Sequence, residues 1–88
     1  MKRDFDKAIE VSQQAIANNP DNPTSYDTLG RAYTAKQDFE NAEQAFMTAL
    51  EKQPEFYPAL LGLGNLYGVE RKSADALKQY QHALKLRE

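Results

Sequence analysis

The residues of this chain that could do chemistry are few, and the first is a single histidine. His82 is the only histidine among the 88 residues, and the chain contains no cysteine. It falls on the polar side of a predicted helix, where no carboxylate or second histidine shares its face at the spacing of a metal site or an acid–base pair. We therefore predict that His82 is solvent-exposed and is neither a metal ligand nor a catalytic base.

The carboxylates that could supply a general acid and base are spread over one predicted helix and the turn after it. They are Glu40, Glu43, Glu51 and Glu55. This distribution is typical of a solvated surface rather than a catalytic pair. Gly62-Leu63-Gly64 resembles the start of a dinucleotide-binding fingerprint, but no strand precedes it and no third glycine follows at the required place. The sequence thus predicts no catalytic residue, no metal ligand and no cofactor, and a protein that is not an enzyme.

Charge and hydropathy argue against nucleic acid and membrane as partners. Eleven Lys and Arg residues stand against 13 Asp and Glu residues, so the net charge of −2 does not draw the chain to either polyanion. No apolar run approaches the roughly 18 residues of a membrane-spanning helix, and the opening MKRDFDK lacks the apolar core of a signal peptide. We expect a soluble chain that binds no nucleic acid and does not insert into a membrane. The sequence does not indicate its compartment.

The elements that position these residues are predicted to be five helices. Apolar residues recur at intervals of three, four and seven, as they do along one face of a helix. Prolines separate the first helix from the second and the third from the fourth, because the residue before a proline is pushed out of the helical region and a proline is tolerated at a first helical position. The predicted helices run from about residues 5–17, 24–36, 39–53, 58–70 and 73–87.

Large and small side chains follow one another in the same order more than once along the chain. The interval between the copies is the one that separates Leu29 from Leu63. The first full set is Tyr26, Leu29, Gly30, Tyr33, Ala42, Phe46, Ala49 and Pro54. The set one period later is Leu60, Leu63, Gly64, Tyr67, Ala76, Tyr80 and Ala83. Stepping back by the same interval gives Ala8, Ala15 and Pro20. Such a period indicates a stacked array of similar units.

The pattern Leu-Gly-x-x-Tyr, followed by spaced alanines and an aromatic residue, occurs twice and resembles the tetratricopeptide repeat family. The family's closing proline is present in the first copy, as Pro54, whereas Glu88 stands at its place in the second. The resemblance covers nearly the whole chain and implies an all-α fold, in which antiparallel helix hairpins stack in a right-handed superhelix. It divides one domain into the second helix of a truncated first repeat (1–22), a complete repeat (23–56) and a complete or nearly complete repeat (57–88). Ser12 stands where the family has an aromatic residue, which predicts a looser first contact.

Large residues on one helix are expected to meet small residues on its partner. We therefore assign four tyrosines to the core rather than to base stacking: Tyr26, Tyr33, Tyr67 and Tyr80. The fourth helix also carries Gly62, Gly64 and Gly68, of which the repeat's packing is expected to need only Gly64. The other two glycines either let a ligand's backbone approach closely or merely loosen this helix.

The resemblance implies that the first helix of each pair lines a concave wall that binds an extended peptide or a partner helix. The residues expected on this wall are Thr24, Asp27, Thr28, Arg31, Thr34, Leu61, Asn65 and Gly68. Arg31 and Asn65 occupy the same place in successive repeats, and both could hydrogen-bond a peptide. In the alternative interpretation Arg31 pairs with Asp27 one turn away, while Asn65 contacts only water. We do not predict a clamp for a terminal carboxylate, because Asp27 replaces the expected cation.

Two apolar edges suggest a second function. Ala8 and Ser12 on the first helix, and Leu77 and Leu84 on the fifth, stand where terminal repeats normally have polar caps. We expect the chain to be a fragment of a longer array, and the alternative is a homo-oligomer formed end to end or by exchange of helices. The predicted function is a non-catalytic module that binds a protein or peptide partner in its groove, and the rival is a self-assembling scaffold.

Overall fold

Five α-helices joined by short turns make up the structure, a computed structural model that describes residues 4–86. They are α1 (Phe5–Asn18), α2 (Pro23–Ala35), α3 (Phe39–Lys52), α4 (Tyr57–Val69) and α5 (Ser73–Leu86). Within the described range there is no strand. The predicted all-α fold of five helices is confirmed, and each helix boundary lies within one residue of its predicted position where that position is described. The end predicted for the fifth helix, residue 87, lies outside the described residues.

Helix boundaries follow from local chemistry. The Asp4 carboxylate caps α1 by accepting a hydrogen bond from the Lys7 backbone N–H at 2.9 Å. Asn22 caps α2 in the same way, accepting from the Thr24 backbone N–H at 3.0 Å, and Pro23 begins that helix, where its missing N–H costs nothing.

The turns that end α2 and α4 have the same conformation and lie one period apart. Gln37 and Arg71 both adopt left-handed backbone angles, with φ of 66° and 62°. The next residue in each turn, Asp38 or Lys72, donates its backbone N–H to a carbonyl of the preceding helix. The acceptor is the Tyr33 carbonyl at 2.9 Å in the first turn and the Tyr67 carbonyl at 2.8 Å in the second. This turn reverses the chain, so that α3 returns along α2 and α5 returns along α4.

The packing of the helices gives the molecule an inner and an outer side. α2 packs on α3, α4 on α5, and α1 on α2, while α3 also contacts α4. α2 and α4 approach one another closely, whereas in the described parts of α3 and α5 no Cα atom of one helix lies within 8 Å of a Cα atom of the other. Neighbouring hairpins therefore approach one another through α2 and α4 and diverge through α3 and α5. This makes the stack of hairpins curve, with α2 and α4 on the inner side of the curve.

The ring of Phe46 occupies the centre of the core, between two glycines on different helices. It is 1% exposed. A methyl group added to Gly30 of α2 would lie 2.8 Å from the ring, and one added to Gly62 of α4 would lie 2.3 Å from it, both closer than van der Waals contact. The expectation that packing needs only Gly64 is therefore wrong. Gly62 is needed as well, because any side chain there would collide with Phe46.

Tyr80 departs from its predicted place in the core. Its ring lies against Gly64, where a methyl group would come within 2.6 Å of it. The residue is nevertheless 42% exposed, because no described helix covers the other face of its ring as α4 covers Phe46. The three other tyrosines assigned to the core, Tyr26, Tyr33 and Tyr67, are partly buried and pack against it.

One polar contact ties α3 to α4. The hydroxyl of Tyr67 donates a hydrogen bond to the carboxylate of Glu43. Burial, and after it this hydrogen bond, raises the pKa of Tyr67, so the hydroxyl stays protonated as a donor. At the matching place one period earlier, Tyr33 has Ile9 in the position of Glu43, and Ile9 offers no acceptor.

Tyr67→Phe is expected to lower the free energy of unfolding by about 1–2 kcal/mol, because it removes a hydrogen bond to a charged group and leaves a half-buried carboxylate without this donor. Tyr33→Phe serves as the matched control and should change stability by less than about 0.5 kcal/mol. Urea unfolding of the two variants measures the difference. Equal losses for both would show that the contact with Glu43 does not stabilise the fold.

Candidate functional site

An open cavity of about 520 Å³ lies against the inner side of α2 and α4. It is lined by Arg31, Thr34, Ala35, Phe46, Leu61, Gly62, Asn65 and Tyr80. Its walls are mixed: guanidinium, hydroxyl and amide groups stand beside aliphatic and aromatic surface. A surface of this composition can hold a peptide by hydrogen bonds to the backbone and by burial of an apolar side chain, as small concave sites generally do.

Four of the eight residues predicted for the concave wall line this cavity: Arg31, Thr34, Leu61 and Asn65. Three other predicted residues lie outside its lining and are exposed: Thr24, Thr28 and Gly68. The hydroxyl of Thr34 donates to the Gly30 carbonyl at 2.8 Å, so towards a ligand it acts as an acceptor.

Asp27 is buried rather than presented on the wall. The residue is 7% exposed, and its Oδ2 accepts a hydrogen bond from Nε of Arg31 at 3.1 Å. Its Oδ1 is buried without a hydrogen-bond partner among the described residues. Burial raises the pKa of Asp27, and the Arg31 guanidinium opposes part of that rise.

Arg31 pairs with Asp27 one helical turn away, as the alternative interpretation of Arg31 predicts. The pair does not remove Arg31 from the cavity. The Arg31 side chain is 57% exposed and lines the cavity, while its Nε donates to the carboxylate of Asp27. The two terminal nitrogens of the guanidinium are not used in this bond, and they keep their donors for a ligand. Asp27 therefore orients Arg31 and neutralises its charge.

A pH dependence follows from the raised pKa of Asp27. A carboxylate whose pKa is higher in the folded than in the unfolded chain weakens the fold once it is ionised, and this cost is absent below its unfolded pKa of about 3.9. Asp27→Asn removes the titration and keeps the shape. We expect the free energy of unfolding of Asp27→Asn, relative to the wild type, to increase as the pH rises from about 3.5 to 7.

Urea unfolding of the wild type and Asp27→Asn at a series of pH values tests this expectation. If the free energy of unfolding of Asp27→Asn relative to the wild type stayed constant or fell towards neutral pH, burial would not destabilise the Asp27 carboxylate.

The cavity also contains residues that the sequence did not assign to a binding surface. Phe46 and Tyr80 reach it from α3 and α5, and Ala35 from the end of α2. Of these residues, the sequence pattern assigns Tyr80 to the core and gives neither Phe46 nor Ala35 a place on the binding wall.

A smaller groove of about 320 Å³ lies on the outer side, where α3 and α5 diverge over α4. It is lined by Met47, Leu50, Glu51, Leu63, Tyr67 and Gln79. This outer groove shares no residue with the inner cavity, so it provides matched positions for control variants.

His82 is exposed, as predicted. Among residues 4–86, no group of three or more His, Cys, Asp or Glu side chains is placed to hold a metal ion. Over the same range, no helix has the length and apolar character required to cross a membrane.

Comparison with known proteins adds one family and several relatives. Residues 1–63 match the family model described as tetratricopeptide repeat. The chain is 33% identical over 82 residues to Superkiller complex protein 3 of Mus musculus, and 30% identical over 81 residues to BBSome complex member BBS4 of Bos taurus. These matches cover 91% and 92% of this chain but only 5% and 16% of the relatives, so the chain spans a small part of their length.

Solved structures similar to this one include two of high structural agreement. The TPR2B domain–pHsp70 complex of yeast Sti1 superposes with a TM-score of 0.86 at 22% identity, over 91% of this chain and 64% of that one. MamA superposes with a TM-score of 0.83 at 27% identity, over 93% of this chain and 48% of that one.

Proposed function

Because the chain belongs to the tetratricopeptide repeat family, whose fold is generally a protein–protein interaction module, we propose that it binds an extended peptide or a partner helix in the cavity along α2 and α4. The cavity is the observation that carries this proposal. Arg31, Thr34 and Asn65 offer hydrogen bonds at its surface, while Leu61 and Tyr80 offer apolar contact. In this role the protein carries out no chemical step.

We also propose that the chain comprises half a repeat (1–22) followed by two repeats (23–56 and 57–88), as one domain within a longer superhelical array. The matching turns at Gln37 and Arg71 support the division, since they lie one period apart. The small share of each relative that the chain spans supports the longer array. Two relatives are named as members of complexes, and one similar domain was solved in complex with pHsp70, which supports a protein as the partner.

Peptide selection tests the binding proposal. Peptides from a random displayed library are selected on the wild-type chain, and their affinity is then measured for two variants by fluorescence anisotropy. The first variant, Leu61→Glu with Asn65→Ala, changes the inner cavity. The second, Met47→Glu with Gln79→Ala, makes the same kinds of change in the outer groove.

We expect the inner variant to lose at least tenfold in affinity and the outer variant to bind normally. Normal binding by the inner variant, or a loss confined to the outer variant, would contradict the proposal. Circular dichroism on both variants shows that any loss does not come from unfolding. Arg31→Ala is unsuitable here, because it would leave the buried Asp27 carboxylate without its partner and mix a folding defect with a binding defect.

A further inference from the structure

The residues expected to form self-association edges do not identify a partner. Ser12 is only 3% exposed because α2 packs on α1, and its hydroxyl donates to the Ala8 carbonyl at 2.8 Å. Ser12 is therefore not available for self-association. Leu77 and Leu84 are exposed, but they lie where a following repeat of the proposed longer array would pack.

The inner cavity, in contrast, presents a definite set of hydrogen-bonding groups. Among the described residues that line it, only Arg31 carries a full charge at neutral pH, and its terminal nitrogens are donors. The Thr34 hydroxyl donates to the Gly30 carbonyl, so towards a ligand it accepts. Asn65 is exposed, and its side-chain amide can both donate and accept. The wall therefore offers donors and acceptors side by side.

This combination matches an amide group better than a carboxylate. An amide has both an N–H and a C=O, whether it belongs to a peptide backbone or to an asparagine or glutamine side chain. Its N–H can donate to Thr34, and its C=O can accept from Arg31 or Asn65. An ionised carboxylate only accepts, so it would leave the Thr34 oxygen without a donor.

Asp27 adds an electrostatic reason for the same preference. The residue is 7% exposed, its Oδ2 accepts from Arg31, and its Oδ1 has no hydrogen-bond partner among the described residues. A ligand carboxylate on the terminal nitrogens of Arg31 would compete with Asp27 for one positive charge. Because a buried carboxylate that loses part of its counter-charge is costly, Asp27 opposes an anionic ligand. A neutral carbonyl would leave the ion pair intact.

The second half of the wall brings no charge that would offset this effect. One period after Asp27 and Arg31 stand Leu61 and Asn65, and both line the cavity. The described lining thus contains no second cation that could hold a carboxylate beside Asp27. Leu61 offers an apolar contact instead, which suits an uncharged segment.

We propose that Asp27 sets the charge selectivity of the inner cavity, so that the cavity binds an amide group within an uncharged, partly apolar peptide segment and rejects a carboxylate in the same place. This inference rests on the proposed function, since it names the class of peptide that the cavity selects. Asp27 does not line the cavity and acts through Arg31, which it orients and whose charge it compensates. Removal of its charge alone therefore changes which peptides bind.

Paired peptides test the proposal. A peptide selected on the wild-type chain is synthesised with each position replaced in turn by glutamine and by glutamate, which have the same shape and differ in charge. The ratio of the two dissociation constants at each position is measured by fluorescence anisotropy for the wild type, Asp27→Asn and Glu55→Gln. In Asp27→Asn the side-chain oxygen can still accept from Nε of Arg31, so the guanidinium keeps its orientation and loses its counter-charge.

Glu55→Gln is the matched control for net charge, because Glu55 is exposed in the turn between α3 and α4 and does not line the cavity. For the wild type and this control, at least one position is expected to bind glutamine at least tenfold more tightly than glutamate. In Asp27→Asn the preference at that position should shrink at least tenfold or reverse. Circular dichroism shows that both variants are folded.

A wild type that binds the glutamate peptides as well as the glutamine peptides at every position would overturn the proposal. So would a preference that is the same in Asp27→Asn as in the wild type. If binding is nevertheless lost in Leu61→Glu with Asn65→Ala, the proposed function stands and only the role of Asp27 fails. Normal binding by that inner variant would instead contradict both proposals.

Discussion

Replacing Phe46 with alanine is expected to lower the free energy of unfolding by about 3–5 kcal/mol. The ring is 1% exposed and fills the space between Gly30 and Gly62, neither of which has a side chain that could move into the resulting cavity. The total free energy of unfolding of a folded domain is only about 5–15 kcal/mol, so the loss would leave the variant close to unfolding at room temperature. Urea unfolding followed by circular dichroism measures it.

Met47→Ala provides the control for this substitution, because the neighbouring side chain is 53% exposed. Its effect should stay within about 0.5 kcal/mol. A cost for Phe46→Ala that is no greater than that of Met47→Ala would mean that the ring does not hold α2, α3 and α4 together.

Gly62→Ala is expected to lower the free energy of unfolding by about 1–3 kcal/mol, the usual range for overpacking. This direction is opposite to the usual one, because alanine in place of glycine inside a helix normally gains about 1 kcal/mol. The difference arises because the new methyl group would lie 2.3 Å from a ring that is enclosed on both sides. Either the ring or α4 must move.

Gly68→Ala in the same helix is the matched control, since no atom lies within 4 Å of where its methyl group would be. It should raise stability by about 1 kcal/mol. Phe46→Leu should make Gly62→Ala less costly, because the two sites interact directly. If Gly62→Ala were as stable as Gly68→Ala, the close packing of Phe46 against α4 would be ruled out.

The helices could be predicted from the sequence because the relevant signals are local. The intervals between apolar residues indicate all five helices, and the prolines mark the turns between α1 and α2 and between α3 and α4. The burial of Asp27 could not be predicted in this way. Its place on the side of α2 away from α3 predicts exposure, but the residue is buried, and its carboxylate accepts a hydrogen bond from Arg31.

The candidate site was predictable only in part, for a related reason. Arg31, Thr34, Leu61 and Asn65 were assigned to the concave wall by their place in the repeat, and they line the cavity. Tyr80 was missed because periodicity identifies which side of a helix an aromatic residue occupies, but not whether a neighbouring helix covers its ring. Gly62 was misjudged because its need arises from Phe46, a residue on another helix.

Chemical-shift mapping of a selected peptide on the isotope-labelled chain is the most direct measurement of where a partner binds. If the cavity along α2 and α4 is the binding site, the largest amide shifts will fall on Arg31, Thr34, Leu61 and Asn65. Shifts concentrated instead on the outer groove, at Met47, Leu50 and Gln79, would contradict the proposed function.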